Sequence, residues 1–421
     1  MRLAIIDTRL PRPVQTLQLG GLCNAFGNGL VLPFTLIYLH NVRGISLTLA
    51  GLVIGMNAAV ALVAGPLSGP LIDRLGGRRV LAAALVLLSV GFACYPLVQH
   101  PWQAFAAATV TGIGNGFFWP AQSTLLAGLT PPALRHVTFA MQRVVMNLGV
   151  GLGALVGGLI ASTEYPRSFT LLFGLDSVTF LVYLAILFAF VPEPKLGPAR
   201  QSGEAGSYRD VLRNRAFMLV ISLNALFIFA GFSGFELLPA YAKNEAGVGE
   251  GAIGVVFLVN TVVIVLAQLP ISRLSEGRRR TQLLALLGLT WAASWLLVPI
   301  AGIWLTGVAA TGLVAAAMAV FAIGECLHGA VQAPLATDLA EPRLYGRYMA
   351  LSALSWSVGF ALGPALGGAV LDVWPTGVWL GAAALCLLSS ALALTLEPSL
   401  PAHARRTPFA APPAAAADPV S

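Results

Sequence analysis

Gly69-Pro70-Leu71-Ile72-Asp73-Arg74-Leu75-Gly76-Gly77-Arg78-Arg79 separates two long apolar runs, and it is too short and too charged to be anything but a hairpin between two membrane helices. Small residues such as Gly69 let a helix end lie close to its neighbour. Asp73 can face a helix N-terminus, and Arg74, Arg78 and Arg79 hold the turn at an anionic membrane face. The turn therefore fixes both a fold class, all-α and membrane-embedded, and a side of the membrane.

The rest of the chain fits that reading. Of 421 residues, 57% are hydrophobic and 10% charged, and the mean hydropathy of +0.83 lies far outside the range of a soluble domain. Apolar windows of about 20 residues, each able to cross roughly 30 Å of hydrocarbon, recur along the sequence. Twelve are expected, at 15–38, 47–72, 80–99, 103–128, 137–161, 168–191, 217–241, 251–273, 281–300, 306–336, 347–371 and 376–396. The net charge of +7 does not form a nucleic-acid patch, because the basic residues alternate by loop. Arg2, Arg9 and Arg12, the Arg74 turn, Arg135, Lys195 to Arg215, Arg273 with Arg278 to Arg280, Arg343 with Arg347, and Arg405 with Arg406 share one side; Arg43, Arg167 and Lys243 take the other. The positive-inside rule then puts both termini in the cytoplasm of a multi-pass protein of the cell membrane, expected to be a bacterial cytoplasmic membrane. Cys23, Cys94, Cys326 and Cys386 lie inside spans with no metal-ligand spacing and read as apolar packing. The first span, full-length and without a cleavage site, is expected to act as an uncleaved targeting signal.

The polar stretch from Glu193 to Arg215 divides six spans from six, giving expected units of 1–192, a cytoplasmic linker at 193–214, a second bundle at 215–398 and a disordered tail at 399–421. The halves repeat one plan. Gly149, Gly153, Gly157 and Gly158 recur 210 positions on as Gly359, Gly363, Gly367 and Gly368, and Pro132, Leu134 and Ala140 recur as Pro342, Leu344 and Ala350. Arg273-Leu274-Ser275-Glu276-Gly277-Arg278 is a reduced echo of the Asp73 turn. The Gly69–Arg79 run resembles the G-x-L-x-D-R-x-G-R-R signature between the second and third spans of the major facilitator superfamily of secondary transporters. That resemblance extends to about Pro398 and implies twelve transmembrane helices in two pseudo-symmetric six-helix bundles, with a substrate site near the midplane between them.

No Walker-type phosphate loop is present, so an ion gradient is the expected energy source and no cofactor or metal is expected. The run from Asn147 to Gly158 resembles the glycine motif of the drug:proton antiporter branch, whose stacked glycines would let the two halves press together. The branch's proline is Ala154 here and Pro364 in the second copy. The arginine that many relatives of this branch carry four residues before a fourth-span glycine is Ala108, ahead of Gly112. Arg143, on the same helical face as Asn147, is expected to take its part.

A charge in hydrocarbon costs about 2.5–3.5 kcal/mol on insertion scales, so each one retained should face a cavity or a partner. Glu325 is expected near the midplane as a proton carrier or cation-binding carboxylate, with His328 and Gln332 following on its face. The Gly324-Glu325 pair resembles one in multidrug exporters of the superfamily. Glu236 is expected in the outer half, facing either the pathway or the interface. Asp176 is expected near the outer surface, as a span-start residue or a coupling group. Asn24, Asn28, Asn115, Trp119 and Gln122, with Gln332 as a further cavity candidate, add amides among aromatics, which suit an amphipathic organic substrate better than a sugar or a phosphate. The expectation is a proton-coupled exporter of hydrophobic or amphipathic small molecules working as a monomer in the bilayer. A proton-coupled importer of a small metabolite stands as the alternative, with a non-transporting receptor or scaffold as the alternative of another class. An enzyme is not expected, since no nucleophile has a nearby base.

Overall fold

In a computed structural model, residues 10–131, 134–193, 208–341 and 344–408 are described. Arg2, Arg9, Pro132, Pro342, Arg343, the linker stretch 194–207 and the tail beyond 408 lie outside them. The long helices are α1 (Arg12–Val42), α2 (Leu47–Leu75), α3 (Gly77–Leu97), α4 (Pro101–Leu129), α5 (Arg135–Ile160), α6 (Arg167–Phe190), α7 (Arg215–Asn244), α8 (Glu250–Ser275), α9 (Arg280–Trp304), α10 (Gly307–Asp338), α11 (Tyr345–Val373) and α12 (Pro375–Thr395). A short linker helix, Tyr208–Arg213, precedes α7.

Eleven of these helices are long and apolar enough to cross a membrane. The other, α4, has 29 residues and no charge, but Gln103, Asn115, Trp119, Pro120 and Gln122 dilute its hydropathy. Within the first half α1 packs on α5 and α6, and α4 on α2 and α3; in the second half α7 packs on α11 and α12, and α10 on α8 and α9. Each half is thus a copy of the other. The halves meet chiefly where α2 crosses α11 and where α5 crosses α8.

Those crossings use glycine to bring backbone against backbone. A Cβ at Gly51 would collide with the Pro364 carbonyl, and one at Gly368 with the Leu47 carbonyl. In the matching crossing, a Cβ at Gly254 would collide with the Ala154 carbonyl, and one at Gly158 with the Glu250 carbonyl. Both crossings lie at one end of the molecule, the end that bears Gly44 and Asp372. There Asn41 donates to Asn244 (2.7 Å), Thr48 to Asp372 (2.8 Å) and Lys243 to Glu250 (2.8 Å) across or beside the junction. Toward the opposite end Val63 and Leu67 of α2 and Leu266 and Leu269 of α8 stand exposed, and a Cβ at Gly69 would meet open space.

The repeated glycines divide their work in a way that corrects the sequence reading. Gly149, Gly153 and Gly157 press against α1 at Ala25, Phe26 and Leu30, inside their own half, and Gly359, Gly363 and Gly367 press against α7 at Ile228, Ser233 and Leu237. The halves are joined instead by Gly158 and Gly368 and by the carbonyls of Ala154 and Pro364. Two adjacent glycines point roughly 100° apart on a helix, so one run can serve two neighbours.

The Asp73 turn also differs from expectation. Asp73 is exposed, and the carboxylate that meets the N-terminus of α3 is Glu193, just past α6, which accepts from the Arg78 backbone N–H at 3.1 Å. Arg78 bonds the Phe188 carbonyl (2.7 Å) and lies over the Phe188 ring. Gly76 takes φ +88°, and Gly277 takes φ +70° at the matching turn between α8 and α9, conformations that other residues rarely adopt. The second turn is held by the tail. Thr407 and Arg405 pair with Gly277, Arg278 and Arg280 through backbone hydrogen bonds, and Leu400 and Ala404 are buried. The disorder expected from residue 399 therefore does not hold through Pro408, because the tail supplies a strand-like strap over the α8–α9 turn. Arg280, fully buried, pairs with Asp338 at 2.5 Å beneath it.

Candidate functional site

Between the halves lies a cavity of about 900 Å³ that runs from Thr35, Ile54 and Glu236, below the junction, toward Gly65, Pro120 and Met349. One wall is amide-rich. Asn24 and Asn28 of α1 face it, and Asn57 of α2 donates to Thr111 of α4 (2.6 Å) while accepting from Asn115 (3.2 Å). The other wall is aromatic. Trp356 and Phe360 of α11 face the cavity, braced from behind by Phe232 and by the edge of His328. Trp119 stands 47% exposed at the rim of the same space.

Glu236 faces this cavity, and a change of helix pitch aims it there. From Ile228 to Phe232, α7 runs as one π-helical turn that contains Gly231, whose missing side chain admits the Trp291 ring. Such a turn holds one extra residue, which rotates everything beyond it by about 100°. Glu236 Oε2 is buried without a hydrogen-bond partner.

Glu325 is elsewhere. It lies in the layer between α8 and α10, where Asn260 donates to it at 2.8 Å, and it is not on the cavity wall. Arg143 of α5 comes to this layer from the other half: a Cβ on Gly329, one helical turn past Glu325 on α10, would lie 2.7 Å from its guanidinium. Glu325, Asn260 and Arg143 thus straddle the α5–α8 junction.

The remaining candidates separate from these. His328 turns away from Glu325, its Nε2 2.8 Å from Asn224 Oδ1; because the Asn224 amide donates to Ser355, the ring nitrogen is the donor. Its ring packs among Trp291, Phe232 and Trp356. Gln332 donates to the Val220 carbonyl, and Gln122 joins Tyr183 to Gln142; neither faces the cavity. Asp176 is not near a surface. It is fully buried, against Gly27 of α1, with Thr179 at 3.5 Å and Oδ2 unpartnered. Asp176 lies well inside α6, where the middle of α1 at Gly27 packs over it.

Sequence reasoning missed Asn57, Asn260, Trp356 and Glu193. Asn57 and Asn260 could have been flagged as single amides in apolar runs, since an amide in hydrocarbon needs a partner. Nothing local marks Glu193, whose partner is 115 positions away.

Two six-helix halves of one plan around a cavity closed at one end define a membrane transporter. A family model described as Major Facilitator Superfamily matches residues 17–249 and 237–418. The chain belongs to that superfamily, and so is a transporter and not an enzyme. It is 27% identical over 394 residues to "Uncharacterized MFS-type transporter YhjO" of Bacillus subtilis, covering 93% of this chain and 94% of that protein. It is 27% identical over 344 residues to "Multidrug resistance protein MdtH" of Cronobacter sakazakii, covering 81% and 82%. Among solved structures it resembles a POT family transporter in complex with 5-aminolevulinic acid (TM-score 0.77, 16% identity, 92% and 96% covered) and the nucleoside transporter NupG (TM-score 0.73, 14% identity, 91% and 99% covered). At those identities the structures speak to the fold alone.

Proposed function

We propose that the protein is a proton-coupled exporter of hydrophobic or amphipathic small molecules in the cytoplasmic membrane of a bacterium, with both termini in the cytoplasm. The observation that carries the reading is the cavity, apolar and amide-lined, between halves joined at one end only. With the Arg74 turn on the cytoplasmic side, the joined end is extracellular and the cavity is inward-open. The multidrug-resistance name of the MdtH relatives supports export.

In this reading Glu325 carries the proton. An ionised Glu325 is attracted to Arg143 across the α5–α8 junction, and protonation removes that attraction, so the charge state biases how the halves meet. The cavity wall has no part in that exchange, which lets one proton site serve varied substrates. The test is efflux of a lipophilic dye from energised cells with and without a protonophore. Wild-type efflux collapses with the gradient; Glu325→Gln binds dye but does not pump it. Efflux indifferent to the gradient, or undiminished in Glu325→Gln, overturns the proposal.

A further inference from the structure

The cavity wall carries a chemical bias that its apolar area conceals. Among the described residues that line it, Glu236 is the only one with an ionisable acidic or basic side chain other than tyrosine; no arginine, lysine or histidine faces the space. Two buried side-chain atoms on this wall lack any hydrogen-bond partner, Glu236 Oε2 in the second half and Asn24 Oδ1 in the first, and both are acceptors. An unpartnered buried acceptor is costly, so a wall with free acceptors on both halves suits a ligand that brings N–H donors. The ring faces of Trp356 and Phe360 add a surface attractive to a cation and to an aromatic body.

We propose that the cavity selects amphipathic protonated amines, with Glu236 pairing the ammonium and Asn24 accepting from donors on the same ligand class. This rests on reading the cavity as the substrate site. Anions are disfavoured because they would face Glu236 with no cation to receive them. Zwitterions are disfavoured for the same reason, since their carboxylate would find no arginine or lysine. A bare metal ion is disfavoured because a lone carboxylate on a wide cavity does not supply the several oxygens such ions need. Glu325 does not compete for this role, since it lies outside the cavity and already accepts from Asn260.

The test uses a matched pair of probes, monodansylcadaverine and its N-acetyl derivative, which share an aromatic body and differ in one positive charge. Binding to the purified full-length protein in phospholipid nanodiscs is read by dansyl fluorescence, with empty nanodiscs subtracted. The wild type should bind the amine at least about tenfold more tightly than the amide, the scale of one charge-assisted hydrogen bond. Glu236→Gln should erase that preference, and Asn24→Leu should reduce it by less. Equal wild-type affinity for the two probes overturns the proposal without recourse to any variant, as does a preference that survives Glu236→Gln. The exporter reading fails separately: if the amine is bound selectively but never pumped, selectivity stands and export falls, whereas equal pumping of both probes sinks selectivity and leaves export standing.

Discussion

The two junctions between the halves are the same backbone contact built twice and furnished differently. Leu47 and Gly51 of α2 face Gly368 and Pro364 of α11; Glu250 and Gly254 of α8 face Gly158 and Ala154 of α5. Each places a carbonyl where a side chain would otherwise be. The α2–α11 junction then continues toward the cavity through Ser352, Trp356 and Phe360, and its polar closure is one exposed bond from Thr48 to Asp372. The α5–α8 junction continues through Gly151 against Thr261 to Arg143, Asn260 and Glu325, and closes with Lys243 and Glu250, which also accepts from the Thr163 backbone. The repeat supplies two matching contacts between the halves. Among the described residues, only the α5–α8 contact carries ionisable groups along its length within the membrane, and the α2–α11 contact carries the ring faces that line the cavity.

The equivalence of the two junctions is tested most severely at the glycines. Gly254→Leu or Gly51→Leu drives a side chain into a backbone carbonyl in this state alone, and overpacking of that kind costs about 1–3 kcal/mol. The joined end should open, shifting the two-state balance by roughly ten- to a hundredfold, which cysteine cross-linking of Asn41 to Asn244 variants would register as lost reactivity. If one junction tolerates leucine and the other does not, the two are not equivalent hinges.

Next in size is the removal of charge from the furnished junction. Arg143→Ala should reduce gradient-driven efflux severalfold or more, whereas Asp372→Asn, at the plain junction, should change it by less than twofold, because an exposed hydrogen bond contributes little. Parallel efflux assays of the two variants decide whether coupling resides on one side.

The smallest effect is expected at the position where the repeat exchanges alanine for proline. Ala154 and Pro364 offer their carbonyls to Gly254 and Gly51 in the same way, so Pro364→Ala should leave transport intact and shift thermal stability by less than about 1 kcal/mol. A large loss would mean that the proline does more than present its carbonyl.

Much of this architecture is legible in the chain's residues alone. The Asp73 turn, the span pattern, the repeated glycines and the buried carboxylates Glu236 and Glu325 all stand out in the sequence; of the polar and aromatic cavity candidates, Asn24, Asn28, Asn115 and Trp119 face the cavity, and Gln122 and Gln332 do not. The failures share a cause. His328 is grouped with Glu325 by helical spacing, yet their side chains reach different neighbours, Asn224 of α7 and Asn260 of α8. A face defined to within some 60° by periodicity can border two helices at once.

Composition and spacing are enough to establish that this chain crosses a membrane many times, that it does so as two copies of one plan, and that a few carboxylates are kept there at a cost. Hydration energies and a fixed helical rise translate such properties directly into structure. Packing between distant segments decides the rest: which glycines join the halves, that Glu193 and not Asp73 meets α3, that the tail straps the α8–α9 turn, and that a single π-helical turn aims Glu236 into the cavity while Glu325 stays outside it. Each depends on what a side chain meets from a remote part of the chain, and a one-residue change of pitch turns a helix face by about 100° without leaving a mark on the pattern of apolar residues.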